Sequence, residues 1–281
     1  MALGPDGKPF AFIRVEKVKS LGELRGRGGH NARTAGRGTE HCDPKEPPLL
    51  IAGDDDAKGA WHTCAKARGV APDALRSNAT VALEWVATAS PEFFATASPE
   101  QVADWTRDSL AYITERSGGA AHLLSAHVHL DETTPHLHVL TIPLVQKAVA
   151  KRGRPAKGKP APAPTAPSWR LCARDLVGGD RDTTIAIQDT YAEAMAHHGL
   201  RRGIPAKETG ARNKPPARYR AELAALGDSL AARAASLDDR ERTLARKAAV
   251  LDSLRREMGL APSPALADIS PKRRPQPIGR G

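Results

Sequence analysis

The chain has 281 residues, enough for one sizeable domain with extensions, and 42 Lys and Arg against 32 Asp and Glu give it a net charge of +10. This balance favours a polyanionic partner, with nucleic acid first and an anionic membrane surface second; the alternative is a basic protein without such a partner. Aromatic residues make up only 4% of the chain, which disfavours a surface built on many base-stacking rings.

The cysteines and the N-terminus indicate the compartment. Cys42, Cys64 and Cys172 are widely spaced and odd in number, which is typical of a reducing compartment and not of a disulfide framework. The first residues contain no apolar signal-peptide core, and no run approaches the roughly 20 apolar residues of a membrane span. We therefore expect a cytoplasmic protein.

The first quarter of the chain predicts a strand, a loop region and a helix. Residues 10–18 alternate in their second half and predict the first strand. The Gly/Arg-rich run 25–29 predicts a flexible basic loop, in which glycines would let the backbone approach a phosphate. Residues 34–58 are polar and contain prolines, so they predict a long loop, and residues 60–76 predict a helix.

The next segment predicts a second strand and a core helix. Residues 79–87 are rich in strand-forming residues. A helix begins at Pro99, the first helical position after Ser98, and ends at about Ser117, before two glycines. Its apolar spacing is that of core packing.

Residues 129–138 contain three histidines between two largely apolar runs. His136 and His138 are two apart, so their side chains share one face of a strand. The polar segment 131–135 contains a proline and predicts a turn, which folds His129 back opposite the other two. Three imidazoles would then converge with coordination positions left open, as in a catalytic metal site, whereas a structural site is usually closed by a fourth protein ligand.

His127 adds an open question to this hairpin. It lies two residues before His129 and would share the same strand face. The pattern leaves it as either a fourth ligand or a group that supports the ligands. A lone strand histidine is usually an ordinary surface or core residue, but three in this spacing with two turn carboxylates favour a site for a divalent ion. Such an ion, with an acidic residue and a basic surface, suggests phosphodiester chemistry.

The remaining sequence predicts a loop, a helix and a separate C-terminal element. Residues 147–167 are dominated by Pro, Gly, Ala, Lys and Arg and predict a mobile basic loop, which either lies along DNA or is a solvated linker. Residues 183–199 predict a helix. A heptad repeat then predicts a coiled-coil helix over residues 216–260, with a single helix packed on the main domain as the alternative. The repeat comprises Leu223, Leu230, Leu237, Leu244, Leu251 and Met258.

The predicted domain organisation follows from these changes in composition. Residues 1–210 form the main domain, residues 216–260 form the dimerisation helix, and residues 261–281 form a disordered basic tail.

Two motifs resemble those of a known family. The pattern His129-x-Asp131-Glu132-x-x-Pro135-His136-x-His138 resembles the metal motif of the Mob/Pre family of plasmid mobilisation relaxases (the MobV class), within the HUH endonuclease superfamily. The upstream His30-Asn31-x-Arg33 is similar to the first motif of that family. The resemblance covers about residues 10–205, and the combination of the two motifs points to the family and not only to the superfamily.

The resemblance implies a fold and a reaction. The fold would be α+β, an antiparallel sheet with flanking helices and a metal ion, Mn²⁺ or Mg²⁺, at its centre; here a long C-terminal coiled-coil helix follows it. Relaxases of other classes use a tyrosine, but Tyr112, Tyr191 and Tyr219 all lie outside the N-terminal region where one would be expected. The family resemblance itself implies that His30 attacks phosphorus, giving a 5′-phosphoramidate and a free 3′-hydroxyl that can later be rejoined.

Roles for further residues come from the same resemblance. Glu132 would orient or deprotonate His30, or touch the metal, whereas Asp131 would shape the turn. Asn31, Arg33 and Arg76 would bind DNA, with Arg33 on the scissile phosphate. The alternative for His30 is a loop histidine that only binds phosphate.

We therefore expect a relaxase that nicks one strand of plasmid DNA, single-stranded or supercoiled, at an origin of transfer. The expected partners are that DNA, a second copy of the chain through the C-terminal helix, and the coupling machinery of conjugation, with no small-molecule substrate. One alternative is another HUH enzyme, a replication initiator or a transposase. Another is a non-enzymatic coiled-coil DNA-binding protein, although Pro215 and Pro216 would interrupt a continuous basic helix.

Overall fold

The fold is taken from a computed structural model, which describes residues 4, 6–34, 42, 46–148, 166–205, 208, 210 and 216–261. The chain divides into two compact units, Met1–Glu208 and Thr209–Gly281. The basic segment 149–165 and the tail 262–281 lie outside the described residues, so the predictions made for them stay predictions.

The first unit is built on a six-stranded sheet with the order β2-β4-β5-β3-β1-β8, and a two-stranded sheet pairs β6 with β7. The strands are β1 (Phe10–Val18), β2 (Leu49–Gly53), β3 (Ala82–Ala89), β4 (Leu123–His129), β5 (His136–Thr141), β6 (Leu144–Lys147), β7 (Ser168–Leu171) and β8 (Arg201–Arg202). Neighbours in the large sheet are antiparallel except at one edge, where β8 runs parallel to β1. The predicted α+β fold is confirmed, but the sheet is mixed and not wholly antiparallel.

Helices cover both faces of this sheet. They are α1 (Leu21–Asn31), α2 (Ala57–Ala67), α3 (Pro91–Thr96), α4 (Pro99–Arg116), α5 (Ala173–Val177) and α6 (Arg181–Ala194), with short 3-10 turns at Pro72–Ala74, Ala120–His122 and Ala196–His198. The start of α4 is fixed by a capping box, in which Ser98 and Gln101 each bond the other's backbone. In α6 the Asp180 carboxylate accepts from the backbone of Thr183.

Strand alternation divides the core into two layers. On one face Trp85 packs in a cluster that includes Trp105 of α4 and Tyr191 of α6, all fully buried. On the other face α1 and α2 bury Leu24 and Trp61 in a second cluster. Because neighbouring strand residues point to opposite faces, Glu84, next to Trp85, is buried on the side of α1.

The secondary structure of residues 25–76 differs from the prediction in three places. The run 25–29 is not a loop but part of α1, because Ser20 caps the helix by accepting from the Glu23 backbone. Gly28 lies where α1 meets α2, since a Cβ on it would lie 3.0 Å from Ala57 Cβ. The predicted helix 60–76 is α2, which ends at Ala67, and the predicted loop 34–58 contains β2.

The predicted hairpin is confirmed. In the pairing of β4 with β5, His129 lies opposite His136 and His127 lies opposite His138. The connection between the two strands has six residues, 130–135. The register places the apolar Val128 and Leu137 in the cluster that contains Trp85.

The second unit contains one long helix, α7 (Pro216–Glu257). The heptad leucines, from Leu223 to Leu251, are 49–58% exposed, and Met258 is 72% exposed. Among the residues that the structure describes, no helix is both long enough and apolar enough to cross a membrane.

We expect Gly53→Ala to destabilise the first unit. Gly53 ends β2 with φ +82, and a Cβ there would overlap the carbonyl oxygen of Leu124 on β4. The matched control is Gly69→Ala, with φ +66 and nothing within 4 Å of the added Cβ, which isolates the cost of the left-handed backbone alone. In urea unfolding followed by tryptophan fluorescence, Gly53→Ala should cost about 1–3 kcal/mol more than the control. Equal losses would contradict the close approach of β2 to β4.

Candidate active site

Three histidine side chains converge on the face of the sheet that α1 covers. His129 at the end of β4 and His136 and His138 on β5 have ring centroids 4.6–4.9 Å apart. Each offers one ring nitrogen, and these atoms all lie within 4.8 Å of one another. His129 and His138 are buried, and His136, next to the hairpin turn, is partly buried.

The other nitrogen of each ring is held by an acceptor. His129 Nε2 donates to the backbone oxygen of Asn31 at 2.7 Å, and His136 Nδ1 donates to the backbone oxygen of Thr134 at 3.0 Å. His138 Nδ1 lies 3.3 Å from a carboxylate oxygen of Glu84. Because these partners only accept, each proton must sit on the bonded nitrogen, and the lone pairs of His129 Nδ1, His136 Nε2 and His138 Nε2 are left to face the centre.

Glu84 is a functional residue that the sequence analysis missed. Its carboxylate is buried and binds His138, the Arg27 guanidinium and the side-chain amide of Asn31. Burial alone would raise the pKa of Glu84, but the hydrogen bonds from His138 and Arg27 bring it to about 2. The available signal was a glutamate inside the apolar strand 79–87, since a buried carboxylate needs partners.

The C-terminus of α1 brings His30 to the same centre. Its ring centroid lies 6.4 Å from that of His129 and 6.2 Å from that of His138. His30 is the penultimate residue of the helix. Three residues on, Arg33 adopts φ 56, the left-handed conformation that turns the chain back over the site.

Arg33 joins the end of α1 to the hairpin turn. Its guanidinium Nε is 2.8 Å from Asp131, and Nη2 is 2.6 Å from Glu132. The same Nη2 lies 3.0 Å from His129 Nδ1, and Nη1 lies 3.4 Å from His30 Nε2. Asp131 therefore anchors Arg33 through a side chain that is only 2% exposed.

Burial favours the neutral form of His30, His136 and His138. It lowers the pKa of His138 to about 4, with the hydrogen bond to Glu84 opposing the shift. Burial also lowers the pKa of His136, and burial together with the charge of Arg33 lowers that of His30. Neutral imidazoles are the form that ligates a metal and the form that can attack as a nucleophile.

This donor set fits a divalent ion. Three neutral imidazole nitrogens with fixed tautomers and supporting acceptors are the arrangement of a three-ligand metal site with open positions. Glu132 stands beside it, with a carboxylate oxygen 3.7 Å from His136 Nε2 and 3.9 Å from His129 Nδ1. The Arg33 guanidinium, which contacts His129 Nδ1, places a cation at the same position, so an ion bound there would replace that hydrogen bond.

Three further residues singled out in the sequence do not belong to the three-histidine centre. The Asn31 side chain has no exposed surface, so it does not present itself to DNA in this conformation. Arg76 is exposed in the loop before β3, and no hydrogen bond or ion pair joins it to the histidines in the described part of the chain. His127 does not join the cluster, because its Nε2 lies 2.8 Å from Asp55.

The fold is that of a relaxase domain. A solved MobM relaxase domain (MOBV; Mob_Pre), bound to plasmid pMV158 oriT DNA with Mn, superposes with a TM-score of 0.58 at 24% identity. The match covers 76% of this chain and 99% of that one. A second MobM structure, bound to a 26-nucleotide oriT DNA, gives a TM-score of 0.52.

Sequence comparison gives the family. Residues 8–221 match the Mob_Pre family, described as plasmid recombination enzyme, and the chain therefore belongs to this family. It is 28% identical over 201 residues to a 65 kDa protein of Zymomonas mobilis, covering 69% of this chain and 30% of that protein. It is 29% identical over 108 residues to a plasmid recombination enzyme type 3 of Staphylococcus aureus, and the match covers 38% of this chain and 21% of that enzyme. The chain thus matches less than a third of the length of either relative.

The low pKa of His138 predicts a pH-dependent stability. Between pH 6.5 and 4 this histidine stays neutral in the folded chain but takes up a proton in the unfolded chain, so stability falls as the pH falls. In EDTA, the free energy of unfolding should drop by on the order of 1–2 kcal/mol from pH 6.5 to 5 because of this residue. The measurement is urea unfolding of the wild type and of His138→Asn at each pH. The variant should lose this part of the dependence of the unfolding free energy on pH. The control His62→Asn, at an exposed position on α2, should keep the pH dependence of the wild type. The same pH dependence in all three proteins would show that burial does not lower the pKa of His138.

Proposed function

We propose that the chain is a metal-dependent relaxase that nicks one strand of plasmid DNA at an origin of transfer and becomes covalently attached to the 5′ end through His30. The observation that carries the proposal is the position of His30. Its ring centroid lies 6.4 Å from that of His129 and 6.2 Å from that of His138, and both of these rings turn a ligand nitrogen toward the centre. Membership of the Mob_Pre family supports the same conclusion.

The proposed reaction uses the neutral His30 ring. A divalent ion, Mn²⁺ or Mg²⁺, on His129, His136 and His138 would polarise the scissile phosphate. His30 Nε2 faces Arg33 Nη1 at 3.4 Å, and this nitrogen attacks phosphorus. The P–N bond forms as the bond from phosphorus to the 3′ oxygen breaks. The His30 ring loses one proton, and the 3′ oxygen gains one to become a hydroxyl. Rejoining is the reverse displacement by a 3′-hydroxyl.

Arg33 and Glu132 have supporting roles in this proposal. Arg33 is held by two carboxylates and points between His30 and His129, so its charge can bind the scissile phosphate while remaining in place. Glu132, close to two metal ligands, would complete the coordination or orient His30 through Arg33. Asn31 would act by holding His129 through its backbone oxygen and Glu84 through its amide, and Arg76 would contact the DNA away from the centre.

The proposed partners follow from charge and from the related structures. The net charge of +10 suits a polyanion, and the related MobM relaxase domain was solved on oriT DNA with Mn. We propose that this chain acts in the cytoplasm on single-stranded or supercoiled plasmid DNA and meets the coupling machinery of conjugation, without a small-molecule substrate. A replication initiator or transposase would share the metal centre and differ in its DNA target.

Nicking of supercoiled plasmid with Mn²⁺ tests the metal role. His136→Ala removes one of three ligands and should lower the nicking rate by roughly 10²-fold or more, whereas the exposed control His62→Ala should nick like the wild type. EDTA should abolish nicking by the wild type and by His62→Ala. Nicking by His136→Ala at the wild-type rate would contradict the metal centre, and no metal-dependent nicking on any origin would favour the non-enzymatic DNA-binding protein.

The covalent adduct tests the nucleophile. Denaturing electrophoresis of the reaction with end-labelled DNA should show a protein–DNA adduct in the wild type that is lost in His30→Ala. As a control for folding, His30→Ala should retain Mn²⁺ binding, because the three ligands are untouched. An adduct that persists in His30→Ala would overturn the assignment of His30 while sparing the metal centre.

We also propose that α7 pairs with a second copy of the chain. Its leucine stripe is about half exposed along its length, and opposite charges flank it. Arg233 is five residues before Asp238, and Lys247 is five residues before Asp252; this spacing brings opposite charges together across a parallel, in-register seam. The pairing is independent of the nicking centre.

A matched pair of substitutions tests the pairing. Leu237→Asp places a charge in the stripe, whereas Ala232→Asp places the same charge on the opposite side of α7. Light scattering at micromolar concentration should give a dimer for the wild type and for Ala232→Asp and a monomer for Leu237→Asp. A monomeric wild type would contradict the proposal.

A further inference from the structure

A second group of metal-binding side chains lies outside the site described above. Asp108 on α4 meets His197 and His198 of the 3-10 turn Ala196–His198, across 89 and 90 residues of sequence. Both imidazole Nε2 atoms reach the same carboxylate oxygen, Oδ2, at 2.8 and 2.9 Å. One ligand atom from each residue lies within 4.8 Å of the other two.

The scaffold around this group is fixed by independent contacts. Ser109, next to Asp108, is 2.9 Å from the Tyr191 hydroxyl, and the Tyr112 hydroxyl donates to the backbone oxygen of Ile187 at 2.9 Å. These bonds join α4 to α6, which runs directly into the turn that carries the histidines. The three side chains are therefore held together before any ligand binds, which lowers the entropic cost of a site.

The charge and exposure of the group suit a cation. In the described part of the chain no Lys or Arg pairs with Asp108, so its negative charge faces only the two imidazoles. The His197 side chain is 60% exposed and gives a path from solvent, whereas His198 is 9% exposed and Asp108 33%. One hydrogen bond from a histidine to Asp108 would be enough to tie the turn to α4. Here two histidines share the same carboxylate oxygen.

We propose that Asp108, His197 and His198 bind a divalent transition metal ion of the Zn²⁺ class, separate from the nicking centre. Two imidazoles and a carboxylate are donors that Zn²⁺ accepts, with bonds of about 2.0–2.2 Å. Tetrahedral angles at such bonds separate ligand atoms by about 3.3–3.5 Å, so the N–O pairs must spread by about half an ångström as the ion replaces the two protons. Rotation of the exposed His197 side chain and of the Asp108 carboxylate, which is 33% exposed, supplies this movement.

The position of the site gives the ion a structural role. The turn is followed by Gly199 and by β8, the edge strand that pairs with β1 and is the last strand of the first unit. An ion on Asp108 and the two histidines would clip this final segment to α4. Binding would raise the stability of the first unit in proportion to free metal concentration, without touching the nicking chemistry.

Zinc binding in a background without the nicking centre tests the proposal. The full-length His136→Ala/His138→Ala variant should bind one Zn²⁺ per chain in equilibrium dialysis, and Zn²⁺ should raise its thermal unfolding midpoint. Adding His197→Ala should weaken binding by roughly 10–100-fold or more and remove the thermal shift, and adding Asp108→Asn should act in the same direction. Adding His62→Ala, another exposed histidine, should change neither measurement.

Two results would overturn the site. One is a His136→Ala/His138→Ala variant that binds no Zn²⁺ and shows no thermal shift. The other is binding that survives both His197→Ala and Asp108→Asn, which would place the ion on other donors. Because His197 is largely exposed, its substitution leaves the fold intact, which the unchanged midpoint without metal checks. The measurements use no DNA, so they stand whether or not the proposed nicking activity is found.

Discussion

The candidate centre depends on hydrogen bonds that point away from it. His129, His136 and His138 each give one N–H to an acceptor at the periphery: the backbone oxygens of Asn31 and Thr134 and the carboxylate of Glu84. Since none of these acceptors can donate, each ring is fixed in one tautomer and its remaining lone pair faces inward. Without them the three rings could rotate or exchange protons, and the convergence of their nitrogens would be lost.

The same bonds tie the helix that carries His30 to the hairpin. The Asn31 oxygen that holds His129 belongs to the last residue of α1, and Arg33 closes the other side by binding Asp131 and Glu132. The partly exposed Arg27 pairs with the buried Glu84, which keeps the Glu84 carboxylate ionised as an acceptor. One helix end therefore supplies both the proposed nucleophile and a support of a metal ligand, which places metal and nucleophile at a fixed separation.

Local patterns predicted some of this arrangement and long-range contacts supplied the rest. The two-residue spacing of His136 and His138 with a turn before them was enough to predict the hairpin, because strand alternation is a local rule. The helical state of residues 25–29 was missed, since it depends on a cap at Ser20 and on α2 packing against Gly28. The partners of Glu84 and of Asp108 could not be predicted from local patterns, because they lie more than 50 residues away.

Direct observation of the histidine tautomers is the sharpest test of this account. Long-range ¹H–¹⁵N correlation spectra of the full chain with ¹⁵N-labelled histidine, at pH 7 in EDTA, distinguish a proton on Nδ1 from one on Nε2. We expect the Nε2–H form for His129 and the Nδ1–H form for His136 and His138, because of their acceptors. If all three rings exchanged between tautomers, or if His129 carried its proton on Nδ1, the converging lone pairs would not exist.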